Sequence, residues 1–220
     1  MAKRFVELSH VLQDGMRVYP GLSRASFGAL YDHESSRSHY EGKAEFYIGK
    51  ADIPLNLGTY LDSPFHRFRE GKDLSEITLE RVAALDGVVA DALVGEDRSI
   101  DLDIDFSCVR SRAVLVRTGW DNRFMRDEYW HSGPFLSERC VEALVSAEPV
   151  LVGVDFCNID DAQNPARPAH TRLLRAGILV VEHLCNLGEL PRDGFSFYAV
   201  PLRILHGASC SVRAFAQLHA

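Results

Sequence analysis

The stretch "PAHTRLLRAGILVVEHL", residues 168–184, packs a helix, its stop signal and a buried strand into one short run. Pro168 suits the first turn of a helix, where its missing N–H would be unpaired in any case. Gly177 stands at the left-handed position that closes a helix, and "ILVV" continues as a wholly apolar strand. The helix from 170 to 176 advances about 9 Å. The strand from 178 to 182 returns by about 13 Å. His170 and Glu182 therefore finish near the same end of the layer. A glutamate closing a buried apolar run needs a partner, because an unpaired charge there is costly. A metal ion or a catalytic proton would serve, and so would Arg172 or Arg175.

Working outward, the same theme recurs. "LSERCVEALVSA" (136–147) starts a helix at Ser137, with Leu136 and Val141 spaced as a hydrophobic staple, and feeds the strand "PVLVGVDF" (149–156). Thr78 reads as the cap of a helix over "LERVAAL" (79–85) with Ile77 and Val82 as its staple, ending near Gly87 before the strand "VVADALVG" (88–95). "RAVLVRTGW" (112–120) is another buried strand. In "ADIPLNLGTYLDSP" (51–64), Ile53, Leu55 and Leu57 alternate with Asn56, Gly58, Tyr60 and Asp62, a strand period that Pro64 ends. Residues 33–42 read as an exposed loop or hairpin, and 195–218 as at least two more strands. Some strands follow one another without a helix between them. The expected class is therefore α/β, a mixed sheet with helices packed against it.

A length of 220 residues predicts one domain spanning 1–220. A net charge of −7 argues against a nucleic-acid partner. The longest apolar runs are strand length, so no membrane span is expected. Two basic residues near the start lack the apolar run of a signal peptide, and five scattered cysteines form no C-x-x-C pair. A cytoplasmic protein with buried, reduced thiols is the expectation. No G-x-G-x-x-G, Walker A or G-x-S-x-G motif occurs, and "DFCNIDD" (155–161) lacks the glycine and spacing of a calcium loop.

Asp62 and His66 lie four apart across a proline turn, an arrangement in which a carboxylate can orient an imidazole as general base; an exposed pair with no role is the plainer reading. Tyr19, Phe65, Trp120 and Phe156 stand near these segments. They fit either the walls of a pocket for an aromatic or cyclic small molecule, or the core.

"NLGTYLDSPFH" (56–66) resembles the signature H-x-G-T-H-x-D-x-P-x-H of the cyclase family that includes bacterial kynurenine formamidase and isatin hydrolase. "ELSHVLQDGMRVYPG", "AVLVRTGW", "VLVGVDF", "HTRLLRAGILVVEHLCNL" and "PLRILHGASCSVRAFA" extend the likeness along most of the chain. The resemblance implies a swivelling β/β/α fold, a homodimer or homotetramer, and metal-dependent hydrolysis of amide, lactam or lactone-type bonds in a small molecule. By position it makes Asp62, His170 and Glu182 metal ligands and His66 the proton-handling base. Two ligand positions of the signature hold Asn56 and Tyr60 instead. An asparagine carbonyl is a poor zinc donor, and a tyrosine ligates mainly as phenolate, which requires its pKa to fall from near 10. The expectation is thus one divalent ion, Zn or Mn, with His66 or water completing its shell. Two other readings stay open at this point. One is a metal-free cyclase, dehydratase or isomerase using Tyr60 as acid and Asp62–His66 as base. The other is a small-molecule binding protein. In all three readings Asn56, Tyr19, Phe65 and Phe156 contact the substrate or ligand.

Overall fold

The computed structural model describes residues 3–219. In chain order the strands are β1 (Arg4–Glu7), β2 (Ser26–Tyr31), β3 (Ile48–Asp52), β4 (Tyr60–Asp62), β5 (Leu85–Val94), β6 (Ser99–Asp103) and β7 (Ala113–Arg117), then β8 (Phe135–Leu136), β9 (Leu151–Val154), β10 (Leu179–Glu182), β11 (Phe195–Tyr198), β12 (Ser209–Ser211) and β13 (Phe215–Leu218). The helices are α1 (His33–Ser36), α2 (Asp127–His131), α3 (Glu138–Ala147) and α4 (Pro168–Arg175).

β5, β7, β9 and β10 run parallel at the centre of one sheet, the arrangement that helical crossovers produce. Antiparallel strands extend it on both sides: β11, β13 and β1 beyond β5, and β4 then β12 beyond β10. The mixed α/β class expected from the sequence is what forms. Alternation along the central strands feeds two apolar layers. Val114, Val116, Val152, Val154 and Val180 pack with Val141 and Leu144 of α3 and Leu173 and Leu174 of α4. Ala113, Leu115, Leu151, Leu179 and Val181 face the other way, toward Leu61, Phe195 and Phe197. Each such buried aliphatic side chain contributes about 1.5–3 kcal/mol. Among the described residues no helix is long and apolar enough to cross a membrane.

α3 and α4 begin and end as their sequences predict. Ser137 accepts the Cys140 N–H, and Gly177 follows α4 with φ +77°. The helix expected over 79–85 is only a single 3₁₀ turn, Leu79–Arg81, and the Thr78 side chain caps nothing. Leu85 already pairs with Phe197, so sheet pairing claims the chain before a second turn can form. The strand expected from Ile53 is confined to Tyr60–Asp62. Gly58 turns the backbone left-handed (φ +61°), and a Cβ there would lie 2.5 Å from Leu12 Cδ2, which explains why glycine stands at this bend. Residues 33–42 hold α1 and a 3₁₀ turn, Arg37–Tyr40, which join β2 to β3 in a separate two-stranded sheet. The 195–218 stretch supplies three strands. Four cysteines are buried as expected, but Cys108 is exposed.

Candidate metal centre

Strand register brings the site together. β4 lies between β10 and β12, with Tyr60 opposite Glu182 and Ser211, and Asp62 opposite Val180 and Ser209. Tyr60 and Asp62 share a face, since side chains alternate along a strand. Ser209 therefore meets Asp62 directly, and its hydroxyl donates to Asp62 Oδ1. Pro64 opens a 3₁₀ turn, Pro64–His66, that carries His66 back over the same face, with His66 Nδ1 3.6 Å from Asp62 Oδ1 and 3.3 Å from Ser209 Oγ. The turn belongs to a loop folded tightly on itself: Phe65 N–H donates to Lys72 O at 3.1 Å, and a Cβ on Gly71 would sit 2.6 Å from the Pro64 carbonyl carbon.

His170 arrives from the first turn of α4. Asp160 accepts the N–H groups of Ala169 and His170 at 2.6 and 3.1 Å, and its Oδ2 lies 2.7 Å from His170 Nδ1. Held there, the imidazole directs Nε2 inward, 3.6 Å from Asp62 Oδ2 and 3.4 Å from Glu182 Oε1. His170 and Glu182 thus meet at one end of the layer, as the helix and returning strand predict. Neither neighbouring arginine serves as partner: Arg172 pairs with Glu142 at 3.0 Å, and Arg175 lies over the Phe68 ring.

Charge in this cluster follows from burial and partners. Burial alone would lower the His170 pKa, but Glu182, Asp160 and Asp62 outweigh it and push it up to about 10. Burial would raise Asp62, yet the adjacent His170 imidazole, then His66 and the Ser209 hydroxyl, hold its carboxyl below the usual range. Burial pushes Glu182 up to about 7. His66 keeps 36% of its side chain exposed, and the burial of the remainder lowers its pKa despite Asp62, so it is neutral at pH 7. Tyr60 is driven well above the usual phenol value by burial, then by Glu182 and Asp62. It therefore stays a protonated phenol, and its hydroxyl donates to Glu182 Oε2. Glu182 Oε1 accepts the Ile159 N–H at 2.7 Å, so both of its oxygens are engaged.

The residues fit a divalent cation. Asp62 Oδ2 is buried and, among the described residues, bonded to nothing. Asp62, His66 and His170 offer one donor atom each, all within 4.8 Å of one another. One carboxylate and two imidazoles suit zinc or a neighbouring divalent metal.

The model of the family described as putative cyclase matches residues 6–161. The chain belongs to that cyclase family. Kynurenine formamidase of Geobacillus thermodenitrificans is 25% identical over 218 residues, which span 97% of each chain. Isatin hydrolase A of Labrenzia aggregata, solved with benzyl benzoate, has a similar structure with a TM-score of 0.80 at 22% identity, covering 99% of this chain and 94% of that one. A solved protein described as a potential metal-dependent hydrolase with cyclase activity gives a TM-score of 0.75 at 21% identity, covering 98% of each.

Other residues expected at the site disperse. Tyr19 joins an aromatic cluster with Tyr129 and Trp130 and lines a cleft reaching Asn158 and Asp160. Phe65 is half-buried beside His206, and Asn56 is half-buried in the loop before β4. Phe156 is wholly enclosed in the core beside Val152 and Val154. It extends the inward face of β9 and presents no wall to a ligand. Sequence reasoning missed Asp160 and Ser209. Asp160 stood in a segment considered only as a calcium loop, and Ser209 carries no local signal because its role comes from pairing across β4 and β12.

Proposed function

We propose that this cyclase-family chain is a metal-assisted hydrolase of an amide, lactam or lactone-type bond in an aromatic or cyclic small molecule. The observation that carries the reading is the buried Asp62 carboxylate, one oxygen of which has no hydrogen-bond partner among the described residues, set between the imidazoles of His66 and His170. The activities named for its relatives support it. Asp62, His66 and His170 would hold one divalent ion, zinc or manganese, with Glu182 outside the ligand set because its two oxygens are engaged by the Tyr60 hydroxyl and the Ile159 N–H. When bound, the ion supplies Lewis acidity that polarises an acyl carbonyl and acidifies water.

The chain's own residues do the rest. Asp160 keeps Nδ1 of His170 engaged, so that Nε2 faces the centre. Ser209 fixes one oxygen of Asp62 and leaves the other free. Glu182 and Tyr60 share one proton-bearing contact and close the buried side. His66 is the exposed member of the cluster. It would complete the donor set at rest and would carry a proton from water to the leaving group during turnover; the tasks alternate, since one lone pair cannot serve both. A metal-free reaction using Tyr60 as acid is disfavoured because that hydroxyl is already committed to Glu182.

The proposal also takes 1–220 as one cyclase-like domain, assembled as a homodimer or homotetramer in the cytoplasm. Metal analysis of protein purified without chelator tests the central point. About one equivalent of a divalent ion is expected, and less than about 0.2 equivalents of every such ion overturns it.

A further inference from the structure

Beside the His66 loop lies a groove of a different character. Arg67, Phe68, Arg69 and Lys72 of that loop form one wall, and Arg81 and Arg175 the other. Five cations thus line one concavity in which Glu70 is the only acid, on a chain whose net charge is −7. Among the described residues none of the five pairs with a carboxylate, whereas Arg112, Arg117, Arg139 and Arg213 elsewhere on the surface all do. The tethers they have are neutral. Arg81 donates to the carbonyls of Gly177 and Val150, Arg67 to the Thr171 hydroxyl at 3.1 Å, and Arg175 stacks 4.5 Å above Phe68. These contacts hold the guanidinium groups in place without cancelling their charge. Arg69 and Lys72 are exposed.

Like charges gathered without counter-charges repel one another, and a cleft focuses the resulting potential. Prearranged guanidinium groups match the geometry of carboxylate and phosphate oxyanions. We propose that the groove between residues 64–72 and the C-terminal end of α4 binds a small molecule carrying a carboxylate or phosphate group. Its concave shape, with an aromatic ring in the wall, favours a compact organic anion over an extended polymer. The inference stands apart from the metal-centre reading, because it uses none of that centre's side chains.

The test is calorimetric titration with inorganic phosphate and, separately, phthalate, an aromatic dicarboxylate, at about 20 mM and about 200 mM salt. Wild-type protein binds at least one probe, more weakly at the higher salt. Arg69→Glu/Lys72→Glu lowers that affinity by more than about tenfold, and the neutral Arg69→Gln/Lys72→Gln gives an intermediate loss. Tighter binding of phthalate than phosphate assigns the groove to carboxylates, and the reverse order to phosphates. The proposal is overturned if neither probe binds at low salt, even if a polynucleotide does. It is equally overturned if both variants bind like wild type, since the anion then sits elsewhere, the metal centre included.

Discussion

Two imidazoles from one helix–strand unit have opposite fates. His170 and His183 are both buried; β10 ends on Glu182, which lies against His170, and His183 follows it in the chain. His170 faces the carboxylates of Asp62, Asp160 and Glu182, and its pKa rises to about 10. His183 is ringed by Tyr60, Phe124, Tyr129 and Trp130, with ring centroids 5.4–6.0 Å away, and burial lowers it to about 3. The Tyr129 hydroxyl lies 2.8 Å from His183 Nδ1, a contact suited to a neutral ring. Burial therefore does not decide the charge of a histidine; the chemistry of its neighbours does. The acidic cage is built for a cation, and the aromatic cage excludes one.

The contrast breaks most readily at His170. His170→Ala leaves three carboxyl groups without their central partner and should cost about 3–5 kcal/mol in urea denaturation of ion-free protein at pH 7. A loss below about 1 kcal/mol would show that the cage needs no cation. Asp160→Asn keeps the shape of the ligand-orienting residue but weakens its grip on Nδ1, so divalent-ion affinity should fall about 10–100-fold in a competition titration.

The two histidines differ also in how they make stability depend on pH. The folded pKa of His183 lies below the unfolded value of 6.5, so below that pH the unfolded chain takes up a proton that the folded chain refuses. Stability held by His183 is lost as pH falls from 6.5 toward 3. His183→Asn tolerates the left-handed backbone there (φ 58°) and lacks the titration. The stability gap between wild type and this variant should shrink by about 2 kcal/mol between pH 7 and pH 5. For ion-free His170 the sign reverses. Its contribution is full below 6.5 and is lost as pH climbs toward about 10. The smallest change in stability is expected for His66→Ala, within about 0.5 kcal/mol of wild type by denaturation because the side chain is exposed. That variant should nonetheless lose about 10²–10⁴-fold in turnover, and unchanged activity would remove His66 from the chemistry.

Much of the frame was legible because its signals are local. Gly177 closing α4, Ser137 opening α3 and the apolar runs of β7, β9 and β10 each declare themselves within a few residues. The Thr78 helix failed where tertiary pairing overrode a sound cap signal, and the long strand through Ile53 failed where Gly58 bends the chain. At the site, Asp62, His66 and His170 were readable from their types and spacing. The partners that set their behaviour were not. Ser209 reaches Asp62 through strand register, Asp160 reaches His170 through the approach to a helix, and Tyr60 meets Glu182 across β4 and β10. None of these pairings has a short-range signature.

The missing side chain at Gly71 has a wider reach than its own loop. The Pro64 backbone occupies the space a methyl group would need, and the turn so compressed carries both the His66 imidazole of the candidate metal centre and the cationic wall of the neighbouring groove. One hydrogen atom's worth of room thus sets the position of both candidate sites together, and enlarging it would displace them as a unit.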